Sequence, residues 1–258
     1  MLGYESLSSY SNISHFVTAR QGGCSEGAYA SFNCTPYSGD EAEKVRRNQS
    51  LLMEGMSQMP RELVIPLQTH DTNCLLIGDV YLSASPRQKQ DMLCGVDALI
   101  TREPGYCLCI STADCVPVLV YDTKHCAVAA GWRGTVAYIV RDTLLRMEKE
   151  FGTSGEDVVA CIGPSISLTS FEVGEEVYEA FQKNGFDMPR ISIRKEETGK
   201  HHIDLWEANR LQLLAFGVPP GQVELAQICT YIHHDDFFSA RRLGIKSGRI
   251  LSGIMIHE

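Results

Sequence analysis

The sequence has no long hydrophobic run: nothing in its 258 residues approaches the roughly 18 consecutive apolar positions that a membrane-spanning helix needs. Met1–Tyr10 is short and polar, with no basic region leading into an apolar stretch, so the expectation is a cytoplasmic protein. Positive charge is scarce as well. Lys and Arg number 23 against 32 Asp and Glu, a net charge of −9, which argues against binding to nucleic acid or to anionic membranes, because both need clustered cations. Any phosphate must be met by local groups. Among ten cysteines and eight histidines there is no C-x-x-C pair and no H-E-x-x-H, which removes the zinc knuckle, the redox dithiol and the zincin helix from consideration. A metal would need scattered ligands. Internal repeats and domain linkers are also missing.

What is present is ordinary globular composition, 44% hydrophobic and 21% charged, with 22 Gly and 10 Pro spread along the chain. The length suits one domain over residues 1–258. Cys107 and Cys109 alternate along an apparent strand, and Cys74, Cys126, Cys161 and Cys229 sit inside apolar runs, which is reduced, core-packed usage. Runs rich in Val, Ile and Leu read as strands: 63–67, 74–77, 98–100, 106–110, 116–121, 126–130, 158–162, 223–228 and 250–256. Helical periodicity marks 41–54, 136–151, 175–183 and 205–216. Asp204 with Glu207 makes a capping box for the last of these, Gly217 closes it, and Gly152 follows the second. Strands outnumber helices and do not strictly alternate with them, so the fold class is α+β, a layered mixed β-sheet with flanking helices. The polar stretch 194–202 reads as an exposed hairpin or loop.

Three segments point to chemistry. In Ser111-Thr112-Ala113-Asp114-Cys115-Val116-Pro117 an acid and a thiol sit between two apolar strands; they are either a turn cap and a core cysteine, or an ionisable thiolate serving as ligand or nucleophile. Gln68-Thr69-His70 ends another strand, where the imidazole is either half-buried and hydrogen-bonded or aimed into a cleft. One thiolate and one imidazole suit zinc or copper. Gly131-Trp132-Arg133-Gly134-Thr135 joins a strand to a helix, which is either tight packing or an anion site built from backbone N–H groups and a guanidinium. Arg20 in the 20–25 glycine turn, and Arg241 and Arg242 after Ser239, are further cations at turns. His233-His234-Asp235-Asp236 reads as an exposed loop, since adjacent residues on an extended chain point in opposite directions.

From about Phe16 to the C-terminus the order of motifs resembles the YfiH-like family, also called laccase-domain, polyphenol oxidoreductase or peptidoglycan-editing-factor proteins. The likeness is carried by Arg20-x-Gly22-Gly23-x-Ser25, Ser31-Phe32-Asn33, Gln68-Thr69-His70, Val96–Thr101, Thr112–Pro117, Gly131–Thr135, Ile162-Gly163-Pro164, Phe171–Gly174, Asp204-Leu205, Cys229-Thr230 and Phe238-Ser239. The resemblance implies a single α+β domain and a purine nucleoside phosphorylase. Such an enzyme converts adenosine, inosine or methylthioadenosine to base and ribose 1-phosphate, with adenosine deamination alongside. Its partners would be a purine nucleoside and phosphate. By carry-over His70 and Cys115 are two ligands of a Zn or Cu ion. The clustering of cations at glycine turns then suggests Arg133 as a phosphate-holding catalytic residue with Asp114 beside the metal, and Arg20, Asn33 and Arg241 as substrate- or phosphate-binding residues.

In one place the chain departs from the pattern. The resemblance implies a second histidine just before the Gly131 turn, but residues 126–130 read Cys-Ala-Val-Ala-Ala, and the segment from Cys115 to Gly131 is about three residues short. Two protein ligands leave a zinc ion under-coordinated, so the metal is expected to be weakened or lost. His125 is the nearest imidazole in sequence but lies at the far end of the 126–130 run. Ser165 stands where many relatives carry Cys. Three rival readings stay open: a Cys115/His70 hydrolase of peptidoglycan precursors, a copper-dependent phenol oxidase, for which eight histidines are few, and a non-catalytic homologue.

Overall fold

Strict alternation of apolar side chains between two faces is the pattern that decides this architecture. In the computed structural model, which describes the backbone of residues 1–258 and all side chains but those of 129, 130 and 132, thirteen strands form. They are β1 (Ile13–Val17), β2 (Glu62–Val64), β3 (Cys74–Ile77), β4 (Ala98–Thr101), β5 (Tyr106–Thr112), β6 (Pro117–Tyr121), β7 (Cys126–Ala130), β8 (Val159–Ile162), β9 (Glu172–Val173), β10 (Ser192–Arg194), β11 (His201–Ile203), β12 (Val223–Leu225) and β13 (Ile250–Ile256). One sheet has the order β1-β13-β5-β2, a second β12-β8-β6-β7-β4-β3, and a small third β10-β11-β9. Both large sheets are mixed: β2/β5, β3/β4 and β8/β12 are parallel, while β1/β13, β13/β5, β6/β7, β4/β7 and β6/β8 are antiparallel.

The two large sheets stack face to face. Leu108 and Ile110 of β5 and Ile254 of β13 pack into one core with Leu99 of β4, Leu119 of β6 and Val128 of β7. The residues between them point the other way. Cys107 and Cys109 face a core with Phe32, Leu52 and Leu251, whereas Ile100, Val118 and Ala127 face the helices, packing with Leu144, Met147 and Leu213. This period-2 division gives four layers, helix, sheet, sheet, helix, and covers both faces of the two large sheets.

Most sequence-level boundaries hold, and the exceptions have local causes. The helix expected over 136–151 is two, Trp132–Val136 and Ile139–Phe151, because Tyr138 adopts a left-handed backbone (φ 65°) that breaks the hydrogen-bond ladder. The strand expected over 63–67 stops at Val64, ahead of Pro66, which has no N–H for a ladder. The strand expected over 223–228 stops at Leu225, with Gln227 at φ 53°. The 194–202 hairpin forms between β10 and β11, and Asp204 caps its helix by accepting the Glu207 N–H.

His15 on β1 makes the fold sensitive to acid. Its Nε2 accepts the Tyr4 backbone N–H at 2.8 Å, which needs that nitrogen unprotonated. Burial lowers its pKa below the ordinary histidine value, with Glu224 pulling the other way. The unfolded chain therefore takes up this proton first as pH falls through about 6.5. Stability is lost from there down to the folded pKa and is insensitive to this group above it. In His15→Gln, whose amide oxygen can also accept the Tyr4 N–H, the acid-side slope of unfolding free energy against pH should be shallower than in the parent; equal slopes would rule out the assignment.

Candidate functional site

The ends of the two large sheets open into one cavity. The C-terminal end of β5, the start of β6, the end of β7 and the start of β13 lie at the same end of the sandwich, as their antiparallel pairings require. The residues that line the resulting space of about 600 Å³ include His70, Asp114, Cys115, Arg133, Arg241 and Arg249, with Tyr37, Leu67, Ile166, Phe171 and Leu205 among the apolar walls.

His70 is placed by an acid below it. The side chain of Asp97, fully buried before β4, accepts the backbone N–H groups of His70 (2.9 Å), Asp71 (2.9 Å) and Thr69 (3.2 Å). Three convergent donors hold one carboxylate, and His70 is thereby kept at φ 64°. His70 remains exposed to solvent. Partial burial nonetheless lowers its pKa; the Asp97 charge opposes the shift, and Arg133 and Arg249 reinforce it. The neutral imidazole is thus the resting form at neutral pH.

Asp114 turns the chain between β5 and β6 at φ 84°. Its Oδ1 accepts the Thr230 hydroxyl and its Oδ2 the Arg241 backbone N–H, each at 2.7 Å, while its carbonyl accepts the Ile166 N–H at 3.0 Å. The carboxylate ties three segments together, a positioning role. Arg241, on the Ala240–Leu243 helical turn, donates from Nη1 to the Glu172 carbonyl at 3.0 Å and lies 5.6 Å from the Phe171 ring centre. Gly131 (φ 128°) brings the Arg133 turn beside His70: a Cβ added there would stand 4.0 Å from the His70 Cα. The helix that follows is only Trp132–Val136, so the guanidinium rather than a helix dipole supplies the positive charge of this turn.

Five of the residues singled out in the sequence thus meet in one cavity: His70, Asp114, Cys115, Arg133 and Arg241. Two do not line it. The Arg20 guanidinium is spent on the carbonyls of Ala30 (2.8 Å) and His234 (2.7 Å) and lies 5.5 Å from the Phe238 ring centre. Asn33 is fully buried; its amide donates to Ser38 and Asp40 and its oxygen accepts the Arg249 N–H at 3.1 Å. Arg249 was missed, although Ser247-Gly248-Arg249 shows the same pairing of glycine turn and arginine as the segments that were noticed. His125 belongs elsewhere, bonded through Nδ1 to Asp122 and stacked on Phe151.

The donor set can be tested against the metal that the resemblance implies. One imidazole and one thiol share the cavity, the residue before Gly131 is alanine, and among the described residues no group of three His, Cys, Asp or Glu side chains is placed to hold an ion. Catalytic zinc takes three protein ligands, so these residues do not fit it.

Comparison with known proteins gives consistent relatives. A protein of Bacteroides thetaiotaomicron named purine nucleoside phosphorylase is 90% identical, covering 100% of this chain and 97% of the relative. Adenosine deaminase RL5, from an unknown prokaryotic organism, is 39% identical over 95% of both chains. The crystal structure of YlmD from Geobacillus stearothermophilus superimposes with a TM-score of 0.87 at 29% identity, over 96% of this chain and 93% of that one. With residues 14–257 matched by the family described as multi-copper polyphenol oxidoreductase laccase, the chain belongs to that family.

Proposed function

We propose that this protein is a purine nucleoside phosphorylase. The observation that carries the reading is the convergence of Arg133, Arg241 and Arg249 on one cavity of an otherwise acidic chain, which matches the need to hold a phosphate beside a neutral nucleoside. The 90% identical relative bears the same activity in its name. A volume of about 600 Å³ accommodates both substrates.

In the proposed reaction a phosphate oxygen forms a bond to the ribose anomeric carbon as the bond from that carbon to the purine nitrogen breaks. The electron pair goes to the purine, which takes up a proton and leaves. The arginines hold and orient the phosphate, the apolar walls at Tyr37, Ile166, Phe171 and Leu205 receive the purine ring, and neutral His70 is available to accept or relay a proton. Asp114 acts through Arg241 and Thr230.

Phosphate-dependent release of base from adenosine and inosine tests the reading, and its complete absence in folded protein would sink it. Elemental analysis of the same preparation is expected to find less than one equivalent of zinc or copper. Arg133→Ala should lower kcat/KM for phosphate about tenfold or more, the worth of one charge-assisted contact. A second reading, adenosine deamination, in which water adds to the purine carbon bearing the amino group and that group leaves as ammonia, is favoured by the 39% identical deaminase. Inosine formed from adenosine without phosphate distinguishes it.

A further inference from the structure

Arg249 differs from the other two cavity arginines in how it is held. It directly precedes β13, the strand shared by β1 and β5, and its own N–H is fixed by buried Asn33. Nη1 donates to the carbonyls of Ser247 (2.7 Å) and Gly248 (3.0 Å), and Nη2 to that of Ile245 (2.9 Å). These bonds lock the guanidinium plane and leave two donors in it, Nε–H and one Nη2–H, on nitrogens that share one edge of the group. Among the described residues no ion pair with a carboxylate forms at Arg249, and Cys115 and Asp114 share the cavity lining with it. Burial weakens its hold on its proton, the mark of a cation removed from water without a full counter-charge. A locked fork of two donors with no counter-ion, facing a cavity, fits two oxygens of a tetrahedral anion.

We propose that Arg249 is the main phosphate-binding side chain of this site and grips two phosphate oxygens side-on through Nε–H and Nη2–H, with Arg241 and Arg133 adding charge from the neighbouring walls. The proposal deepens the phosphorolysis reading and rests on it for the identity of the anion. A lysine cannot replace the fork, because an ammonium presents a point charge rather than two parallel donors.

The test measures binding of inorganic phosphate by calorimetry, which needs no turnover, to the parent protein and to Arg249→Lys, Arg249→Gln and Arg242→Gln. Arg242 contacts Tyr231 and does not line the cavity, so its variant controls for the loss of one positive charge. Arg249→Gln is expected to weaken phosphate at least thirtyfold and Arg249→Lys about tenfold, with Arg242→Gln within twofold of the parent. In turnover the KM for phosphate should rise by similar factors and the KM for nucleoside by less than threefold. Should the Arg249 variants fail to fold, phenylglyoxal labelling of the parent protein with and without phosphate, mapped by mass spectrometry, replaces them, with phosphate expected to shield Arg249. Parent-like phosphate affinity in Arg249→Gln, no phosphate binding by the parent, or shielding of Arg133 and Arg241 alone would overturn the proposal. Phosphate binding through Arg249 without base release would instead retain the anion site and reject phosphorolysis.

Discussion

Asp97→Ala is expected to cost about 3 kcal/mol of stability, a drop of roughly 6–12 °C in melting temperature for a chain of this size, and to leave His70 misplaced. The carboxylate is fully buried and accepts three consecutive backbone N–H groups. Removing it strands all three donors at once, each worth about 1–3 kcal/mol when left without a partner. Thr69, His70 and Asp71 lie near solvent, so water recovers part of that sum. Releasing His70 from its left-handed backbone partly offsets the loss in free energy but moves the imidazole out of the cavity. Asp97→Asn keeps one acceptor and should fall between the two. Denaturant unfolding reads the effect, and a loss below about 1 kcal/mol for the alanine variant would show that the three bonds are not holding the segment.

Asp114→Ala should lower kcat/KM for phosphorolysis about 100-fold, whereas Asp114→Asn should recover most of the loss. Both carboxylate oxygens are occupied, by the Thr230 hydroxyl and the Arg241 N–H. In alanine both anchors go, and a residue without a polar side chain is forced to φ 84°, so the turn carrying Arg241 shifts; misplacement by about 1 Å is worth about 100-fold. Asparagine tolerates that backbone. Its oxygen can accept from Arg241 while its NH2 donates to Thr230, since a hydroxyl can reverse its role. An Asn variant as inactive as Ala would instead make Asp114 an acid or base in the reaction itself.

The long strands were legible because each apolar side chain reports which of two cores it enters, as Cys107, Leu108, Cys109 and Ile110 do in alternation. β1 was not: Ile13-Ser14-His15-Phe16-Val17 interrupts its apolar pattern with two polar residues, one of which bonds Tyr4 and the other His257. The site was legible where a polar residue broke an apolar run, as at His70, Asp114 and Cys115. Pairing arginine with a glycine turn was a weaker guide, since it carries no information on direction. Arg20 turns toward the carbonyls of Ala30 and His234, while Arg249, in the same kind of sequence, faces the cavity.

β13 is the last strand in the chain yet occupies the middle of its sheet, pairing Ile13 with Ile256 on one side and Ser111 with Leu251 on the other. During synthesis β1 and β5 therefore wait, each with an open edge, until β13 emerges after them. Arg249 arrives with that stretch. A nascent or prematurely stopped chain lacking it has neither a closed sheet nor the anchored guanidinium, so completion of the fold and acquisition of the anion site are one event.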